Sequence, residues 1–157
     1  LETDETNQEM KVLGILLKKA KQDFQIDGLV HGGISSEFQK KRFENVCKEN
    51  DLNILTPLWN TNPKEYMNDL IDSDFKFILT SVSSDGLDET WLGKIITASD
   101  LSKLSELSDK YGFNLNFEGG EAETFVVDCP LYSYSIQITK SKKIWDGYRG
   151  TLEINDL

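Results

Sequence analysis

The feature that most constrains the fold is a short apolar segment that recurs about every 22 to 25 residues in the first half of the chain. The segments cover residues 28–31, 52–58 and 75–82, and a helical pattern lies between successive ones. This alternation is typical of βαβ units, whose parallel strands are covered by helices on both faces of the sheet. The sequence therefore predicts an α/β fold with these strands in one parallel sheet.

The predicted helices begin at polar side chains that can accept hydrogen bonds from the first helical turn. Helices are expected over residues 7–24, 37–50, 63–71 and 101–111, with start signals at Thr6 and Glu9, Ser36 and Gln39, Asn62 and Pro63, and Ser99 or Asp100. Gly112 is the expected stop of the last helix, because glycine there allows the left-handed conformation that ends many helices.

The pattern changes from helical spacing to alternation in the tail of the chain. Apolar and polar residues alternate over residues 133–138 and again after the turn signal Asp146-Gly147. Because alternation places the apolar side chains on one face of a strand, a short antiparallel hairpin is expected. We therefore expect an α/β part over residues 1–95 and a small α+β part over residues 96–157.

Composition narrows the classes of partner. The chain has 27 acidic and 17 basic residues and a net charge of -10, which disfavours nucleic acid and anionic membrane and favours a cationic partner. No apolar run approaches the roughly 20 residues that cross a bilayer. Cys47 and Cys129 are far apart in the sequence and His31 is the one histidine, so no metal site is expected. Because the two cysteines do not form a disulfide framework, we expect a cytoplasmic location. The sequence begins at Leu1 and not at a methionine, and its first residues are polar, so we expect it to be a fragment of a longer protein.

The most unusual segment is acidic and lies at residues 118–124. It contains three glutamates and two adjacent glycines, Glu118-Gly119-Gly120-Glu121-Ala122-Glu123-Thr124. Like charges this close repel unless a cation or strong donors lie between them, which indicates a cation-binding or acid-base pocket. An exposed turn remains the alternative. An extended backbone would place Glu121 and Glu123 on one face with Phe125, whereas a helical turn would place Glu121 beside Thr124.

Residues 118–131, EGGEAETFVVDCPL, resemble the signature of the diphthine-ammonia ligase family. Three further segments are similar to the same family in the same order: SEFQKKRFE at 36–44, TPLW at 56–59 and GLDETWLGK at 86–94. The sequence departs from the family in two ways. Ala122 stands where the family usually has an aromatic residue, and no Ser-Gly-Gly-x-Asp-Ser loop for the ATP pyrophosphate is present.

The resemblance implies a fold, a reaction and partners. The fold would be a Rossmann-like (HUP-type) parallel sheet, with residues 1–95 as the remainder of a nucleotide-binding domain and residues 96–157 as a substrate-binding subdomain. The reaction would be the ATP-dependent amidation of diphthine on elongation factor 2 by ammonium, through an acyl-adenylate. ATP with Mg would be bound mainly by a missing N-terminal part, so these residues alone would be inactive. A homo-oligomer is compatible with this.

The resemblance also implies site residues. The expected catalytic residues are Glu118, Glu121, Glu123 and Thr124; the expected substrate-binding residues are Gly119, Gly120, Asp88, Trp91 and Trp59; the expected nucleotide-binding residues are Gly32, Gly33, Ser36, Gln39 and Arg42. Plainer interpretations remain open: the glycines at 32 and 33 can form an ordinary turn, and both tryptophans can be packing residues. Two other functions remain open as well, another adenylating ATP-pyrophosphatase relative and a non-catalytic binding module.

Overall fold

The computed structural model describes the backbone of residues 2–157 and the side chains of residues 8–157. The chain forms two compact units, Leu1–Thr61 and Asn62–Leu157, and each has its own hydrophobic core. The predicted boundary after residue 95 falls inside the second unit, because the strand before it pairs with strands that follow it. No helix in the described part of the chain is both long enough and apolar enough to span a membrane.

The first unit contains two helices and two short parallel strands. The elements are α1 at Glu2–Phe24, β1 at Gly28–Val30, α2 at Glu37–Glu49 and β2 at Asn53–Leu55. Leu29 lies opposite Ile54 in the parallel register, and both pack against a core of Leu17, Val46, Cys47 and Leu52. The predicted strand-helix-strand order and parallel pairing are confirmed. Helix α1 begins ahead of the start predicted at Thr6, and the Thr6 side chain lies outside the described residues.

The second unit is an antiparallel sheet with two helices. Its elements are α3 at Pro63–Asp72, β3 at Lys76–Val82, a 3₁₀ turn at Glu89–Trp91, α4 at Ala98–Tyr111, β4 at Ala122–Asp128, β5 at Lys140–Trp145 and β6 at Gly150–Asp156. The strand order is β4-β3-β6-β5, and each adjacent pair is antiparallel.

The prediction that β3 continues the parallel sheet was wrong. It lies between β4 and β6 and is antiparallel to both. Its centre, Phe77 to Leu79, is at most 3% exposed. A strand that is buried on both faces is a continuous apolar run in either kind of sheet, so the run could not reveal the direction of its partners.

The capping predictions are mostly confirmed. The Ser36 hydroxyl accepts the Gln39 N–H, the Asn62 side chain accepts the N–H groups of Lys64 and Glu65, and Gly112 ends α4 at φ +79°. The start of α4 was misplaced. Its N-cap is Thr97, which forms a reciprocal capping box with Asp100.

The tail hairpin is confirmed around the Asp146-Gly147 turn, but its first strand is β5 rather than residues 133–138. The Ile136 N–H donates to the Val127 carbonyl at 2.7 Å, so the earlier segment runs beside the end of β4. The alternation of apolar and polar residues over 133–138 reflects this position beside β4, where Ile136 and Ile138 are half-buried.

Candidate acidic site at the start of β4

A tight turn leads into β4 and carries the two glycines of the acidic segment. Gly120 has φ +82°, a conformation that glycine adopts without steric cost. Its N–H donates to the Phe117 carbonyl at 3.1 Å, and its carbonyl accepts the Ser83 hydroxyl at 2.7 Å. The Ser83 N–H also donates to the Glu121 carbonyl at 2.8 Å. The turn is therefore fixed to the residue that follows β3.

The Glu121 carboxylate folds back over this turn. Its Oε1 accepts the Asn114 N–H at 3.0 Å. A Cβ on Gly119 would lie 2.6 Å from that same oxygen, so Gly119 provides the space for the carboxylate. The second oxygen, Oε2, is buried and accepts no hydrogen bond from the described residues. One half of the carboxylate is thus anchored, and the other half has unused acceptor capacity.

The other members of the segment are held differently. Glu123 lies opposite Ser81 in the sheet and its side chain is exposed, and Thr124 lies opposite Leu79 and is exposed as well. Glu118 lies on the turn and is half-buried. Strand β4 makes residues 122–128 extended, so Glu123 has the extended conformation that the sequence left open, whereas Glu121 lies on the bend before the strand. Among the described residues, no group of three or more His, Cys, Asp or Glu side chains is arranged to hold a metal ion.

Ala122, where the family resemblance leads one to expect an aromatic residue, is only 4% exposed and lies opposite Val82. The position belongs to the core of the second unit.

Asp88 and Trp91 lie on the 3₁₀ turn. Asp88 caps the turn by accepting the Thr90 N–H at 2.9 Å and the Thr90 hydroxyl. Trp91 is 8% exposed, and the Lys94 ammonium lies 4.8 Å from its ring centroid. Lys94 also donates to Asp100 at 2.7 Å. The Trp91 ring is therefore a core group with a cation already beside it.

The first unit holds the remaining candidates. His31 is buried against Phe43 with 4.2 Å between ring centroids, and its Nδ1 accepts the Gly33 N–H at 3.3 Å. A Cβ on Gly33 would lie 2.3 Å from the His31 ring, whereas one on Gly32 would meet open space. In this loop, Gly33 is therefore required by the close approach of the His31 ring, whereas Gly32 has space for a side chain.

Helix α2 carries two cations against aromatic rings. The Lys40 ammonium lies 4.1 Å from the Trp59 ring centroid, and the Arg42 guanidinium lies 5.0 Å from that of Phe38. Ser36 caps the helix, and the Gln39 side chain is exposed. The structure thus groups the predicted nucleotide residues and Trp59 in the first unit, and the acidic segment with Asp88 and Trp91 in the second.

Sequence reasoning missed two features of the second unit. The first is the backbone N–H of Asn114 as the anchor of Glu121, which no residue type could signal. The second is a cavity of about 180 Å³, which we call the aromatic cavity. It is lined by Tyr66, Met67, Leu70, Phe75, Phe77, Asn116, Phe117, Thr124 and Val126. Its aromatic residues were visible in the sequence only as apolar positions of the core.

Comparison of the sequence with models of known protein families identifies the family of this chain. Residues 62–157 match the model of the diphthamide synthase C-terminal domain, and residues 2–54 match that of the diphthamide synthase N-terminal domain. The chain belongs to the diphthamide synthase family. The resemblance inferred from residues 118–131 is therefore confirmed.

Relatives in the diphthamide synthase family are named diphthine-ammonia ligase. The mouse (Mus musculus) protein is 39% identical over 87% of this chain and 51% of its own length. The human protein is 37% identical over the same shares, and the Schizosaccharomyces pombe protein is 36% identical over 76% of this chain and 20% of its own length. The chain spans about half the length of the mammalian relatives it matches.

Proposed function

We propose that this chain takes part in diphthamide biosynthesis as part of a diphthine-ammonia ligase that acts on diphthine of elongation factor 2. Family membership and the names of the relatives support this role. The acidic segment supports it independently, since both the modified side chain and ammonium are cationic and the segment presents carboxylates.

The proposed reaction has two steps. The diphthine carboxylate attacks the α-phosphate of ATP, which forms an acyl-adenylate and releases pyrophosphate. Ammonia then attacks the acyl carbon, the amide C–N bond forms, and AMP leaves with the former carboxylate oxygen. Because ammonia enters as ammonium, a base must accept a proton before the attack.

The observation that carries this assignment is the half-anchored Glu121 carboxylate. A buried oxygen without a donor costs roughly 1 to 3 kcal/mol. An ammonium ion at Oε2 would supply that donor and could pass its proton to the carboxylate. We assign Glu121 this role, with Glu118 and Glu123 lowering the electrostatic energy of a cation nearby and Thr124 contacting substrate. Gly119 and Gly120 shape the turn.

We propose that the first unit contributes to the nucleotide side. Lys40 and Arg42 lie on α2 and are held against the rings of Trp59 and Phe38, and ordered cations favour an anionic ligand such as phosphate. Gly32, Gly33, Ser36 and Gln39 precede or open the same helix. ATP with Mg would bind mainly to a Ser-Gly-Gly-x-Asp-Ser loop, which these residues do not contain.

Two finer assignments belong to the same proposal. The parallel pair β1–β2 would be part of a HUP-type sheet. The division into a nucleotide-binding part over residues 1–95 and a substrate-binding part over residues 96–157 stays a prediction. The assignment of Asp88, Trp91 and Trp59 to substrate binding is a separate prediction.

The test is Glu121→Gln in a protein of full family length, with Glu106→Gln on the exposed face of α4 as the matched control. Amidation of diphthine-bearing elongation factor 2 is followed with labelled ammonium and by AMP release. We expect at least roughly tenfold slower amidation for Glu121→Gln, about 1.4 kcal/mol of lost transition-state stabilisation, and wild-type rates for the control. Wild-type amidation in both variants contradicts the role of Glu121. The 157-residue chain alone should release no AMP.

A further inference from the structure

Thr124 is the one residue lining the aromatic cavity of the second unit that has a role in the steps above. Met67, Phe77 and Phe117 are at most 6% exposed and form its buried portion. Its polar side chains are those of Tyr66, Asn116 and Thr124. Its volume of about 180 Å³ equals roughly six times the share of one water molecule in the liquid, so a group of several heavy atoms fits.

The lining favours a cation. Four of the lining residues are aromatic, and a cation near the face of an aromatic ring is attracted by the ring quadrupole. Burial raises the pKa of the Tyr66 phenol above its ordinary value of 10.0, so that ring stays neutral at physiological pH. In the part of the chain that the structure describes, no lysine or arginine lines the cavity. The neighbouring Lys76 donates to Asp128 at 2.7 Å.

The surrounding charge acts in the same direction. Five lining residues each have an acidic neighbour in the chain, and one basic residue, Lys76, lies between two of them: the acids are Glu65 beside Tyr66, Asp69 beside Leu70, Asp74 beside Phe75, Glu118 beside Phe117 and Glu123 beside Thr124. None of these carboxylates is itself a lining group. The residues that adjoin the lining in the chain therefore carry a net negative charge, and the wall of the cavity is aromatic.

The shortage of acceptors selects among cations. Ammonium and primary amines carry N–H donors that need acceptors once they leave water. Among the described residues, only Tyr66, Asn116 and Thr124 offer polar side chains here, and none of the three is a carboxylate. A quaternary ammonium group has no N–H donor, so it leaves no donor without an acceptor when it enters the cavity. We propose that the aromatic cavity binds a quaternary ammonium group.

This inference rests on the proposed function in one respect: it makes the cavity the subsite for the trimethylammonium of diphthine. Glu121 and four of the nine lining residues lie on one continuous segment, residues 116–126. The two cations of the reaction then have separate places. The alkylated one occupies the aromatic cavity, and ammonium meets the carboxylate.

The first experiment needs no catalytic activity. Choline is titrated into the 157-residue chain and followed by NMR, with 3,3-dimethylbutanol as the neutral group of the same shape and ammonium chloride as the small cation. We expect saturable shifts at Tyr66, Phe75 and Thr124 with choline, and binding at least about threefold weaker for the neutral analogue. Equal binding of the neutral analogue, or saturable shifts elsewhere or none, overturns the proposal.

The second experiment uses a matched pair of variants. Phe75 lines the cavity and Phe125 does not, although both are half-buried phenylalanines of the second unit. Phe75→Leu should weaken choline binding about threefold or more, and Phe125→Leu should leave it unchanged. Tyr66→Leu provides a second test if Phe75→Leu fails to fold. Equal effects of lining and non-lining variants overturn the proposal.

The third experiment separates this inference from the proposed function. In a protein of full family length, Phe75→Leu should raise KM for the modified elongation factor without changing KM for ATP or ammonium. Amidation with an unchanged KM for the factor overturns the subsite and keeps the function. Specific choline binding in a protein that amidates nothing overturns the function and keeps the quaternary-ammonium site.

Discussion

The two units each contain a pair of adjacent glycines next to a titratable side chain, and the two pairs do different things. In the first unit Gly33 makes room for the His31 ring, and in the second unit Gly119 makes room for the Glu121 carboxylate. The buried His31 ring packs on Phe43, and its Nδ1 accepts a hydrogen bond. Glu121 retains a buried oxygen with no donor among the described residues. Similar sequence signals therefore produce a turn with a packed ring in the first unit and a turn with a carboxylate oxygen that accepts no hydrogen bond from the described residues in the second.

The largest effect is expected in the first pair, from Gly33→Ala. The new Cβ would lie 2.3 Å from the buried His31 ring, so the ring must move against Phe43. Overpacking of this kind costs about 1 to 3 kcal/mol in the free energy of unfolding, measurable by urea denaturation. Gly32→Ala is the control, because its Cβ meets open space. Equal loss in both variants would mean that the loop backbone, and not the ring, sets the cost.

The second effect is expected from Gly119→Ala, whose Cβ would displace the Glu121 carboxylate from the Asn114 N–H. A carboxylate can swing aside, so the stability should fall by only about 1 kcal/mol. Amidation in the protein of full family length should fall roughly tenfold. Gly120→Ala strains the same turn at φ +82° without touching the carboxylate. An equal loss of amidation in that variant would assign the effect to the turn.

A third prediction contrasts Glu121 with Asp100, a carboxylate whose two oxygens are both bonded. Lys94 donates to Oδ1 and Thr97 donates to Oδ2. The hydrogen bond from Lys94 holds the pKa of Asp100 below its ordinary value of 3.8. The stabilisation is therefore complete above pH 3.8 and is lost as the pH falls through the lower folded-state pKa. Asp100→Asn should cost roughly 1 kcal/mol at neutral pH, chiefly through the helix cap.

The pH dependence provides the check on this third prediction. The stability difference between Asp100→Asn and the parent chain should shrink as the pH falls below 3.8. Denaturant unfolding at neutral and acidic pH measures it, and a difference that does not change with pH would contradict a charged role for Asp100. Glu106→Gln, an exposed acid on the same helix, is the control.

The smallest effect is expected from Glu123→Gln. The Glu123 side chain is exposed, and surface changes of this kind usually alter stability by less than about 0.5 kcal/mol. Amidation should fall less than in Glu121→Gln, because Glu123 would act on a bound cation only through solvent-screened electrostatics. A loss equal to that of Glu121→Gln would show that the carboxylates act as one group.

The sequence was most informative where the signal is local. Helix starts at Ser36 and Asn62, the stop at Gly112 and the Asp146-Gly147 turn depend on neighbouring residues, and the structure has them as predicted. The motif at residues 118–131 likewise identified the family, because it consists of residues that are consecutive in the sequence.

The sequence was least informative where partners come from far along the chain. The neighbours of β3 lie some 40 to 70 residues later, as the pairings Ser81 with Glu123 and Ser81 with Thr151 show. An apolar run carries no information on them. The anchoring of Glu121 by a backbone N–H and the gathering of aromatic residues around one cavity also needed the folded chain. The roles of the candidate site residues stay predictions.

The position of β6 has a consequence for how the protein is made. Because β6 lies between β3 and β5, the end of β3 keeps an open edge until residues 150–156 have left the ribosome. Pairings over such separations form slowly, and an unpaired strand edge invites association with other chains. Shortening the chain before Gly150 should therefore cause aggregation during synthesis, well before any effect on catalysis could be seen.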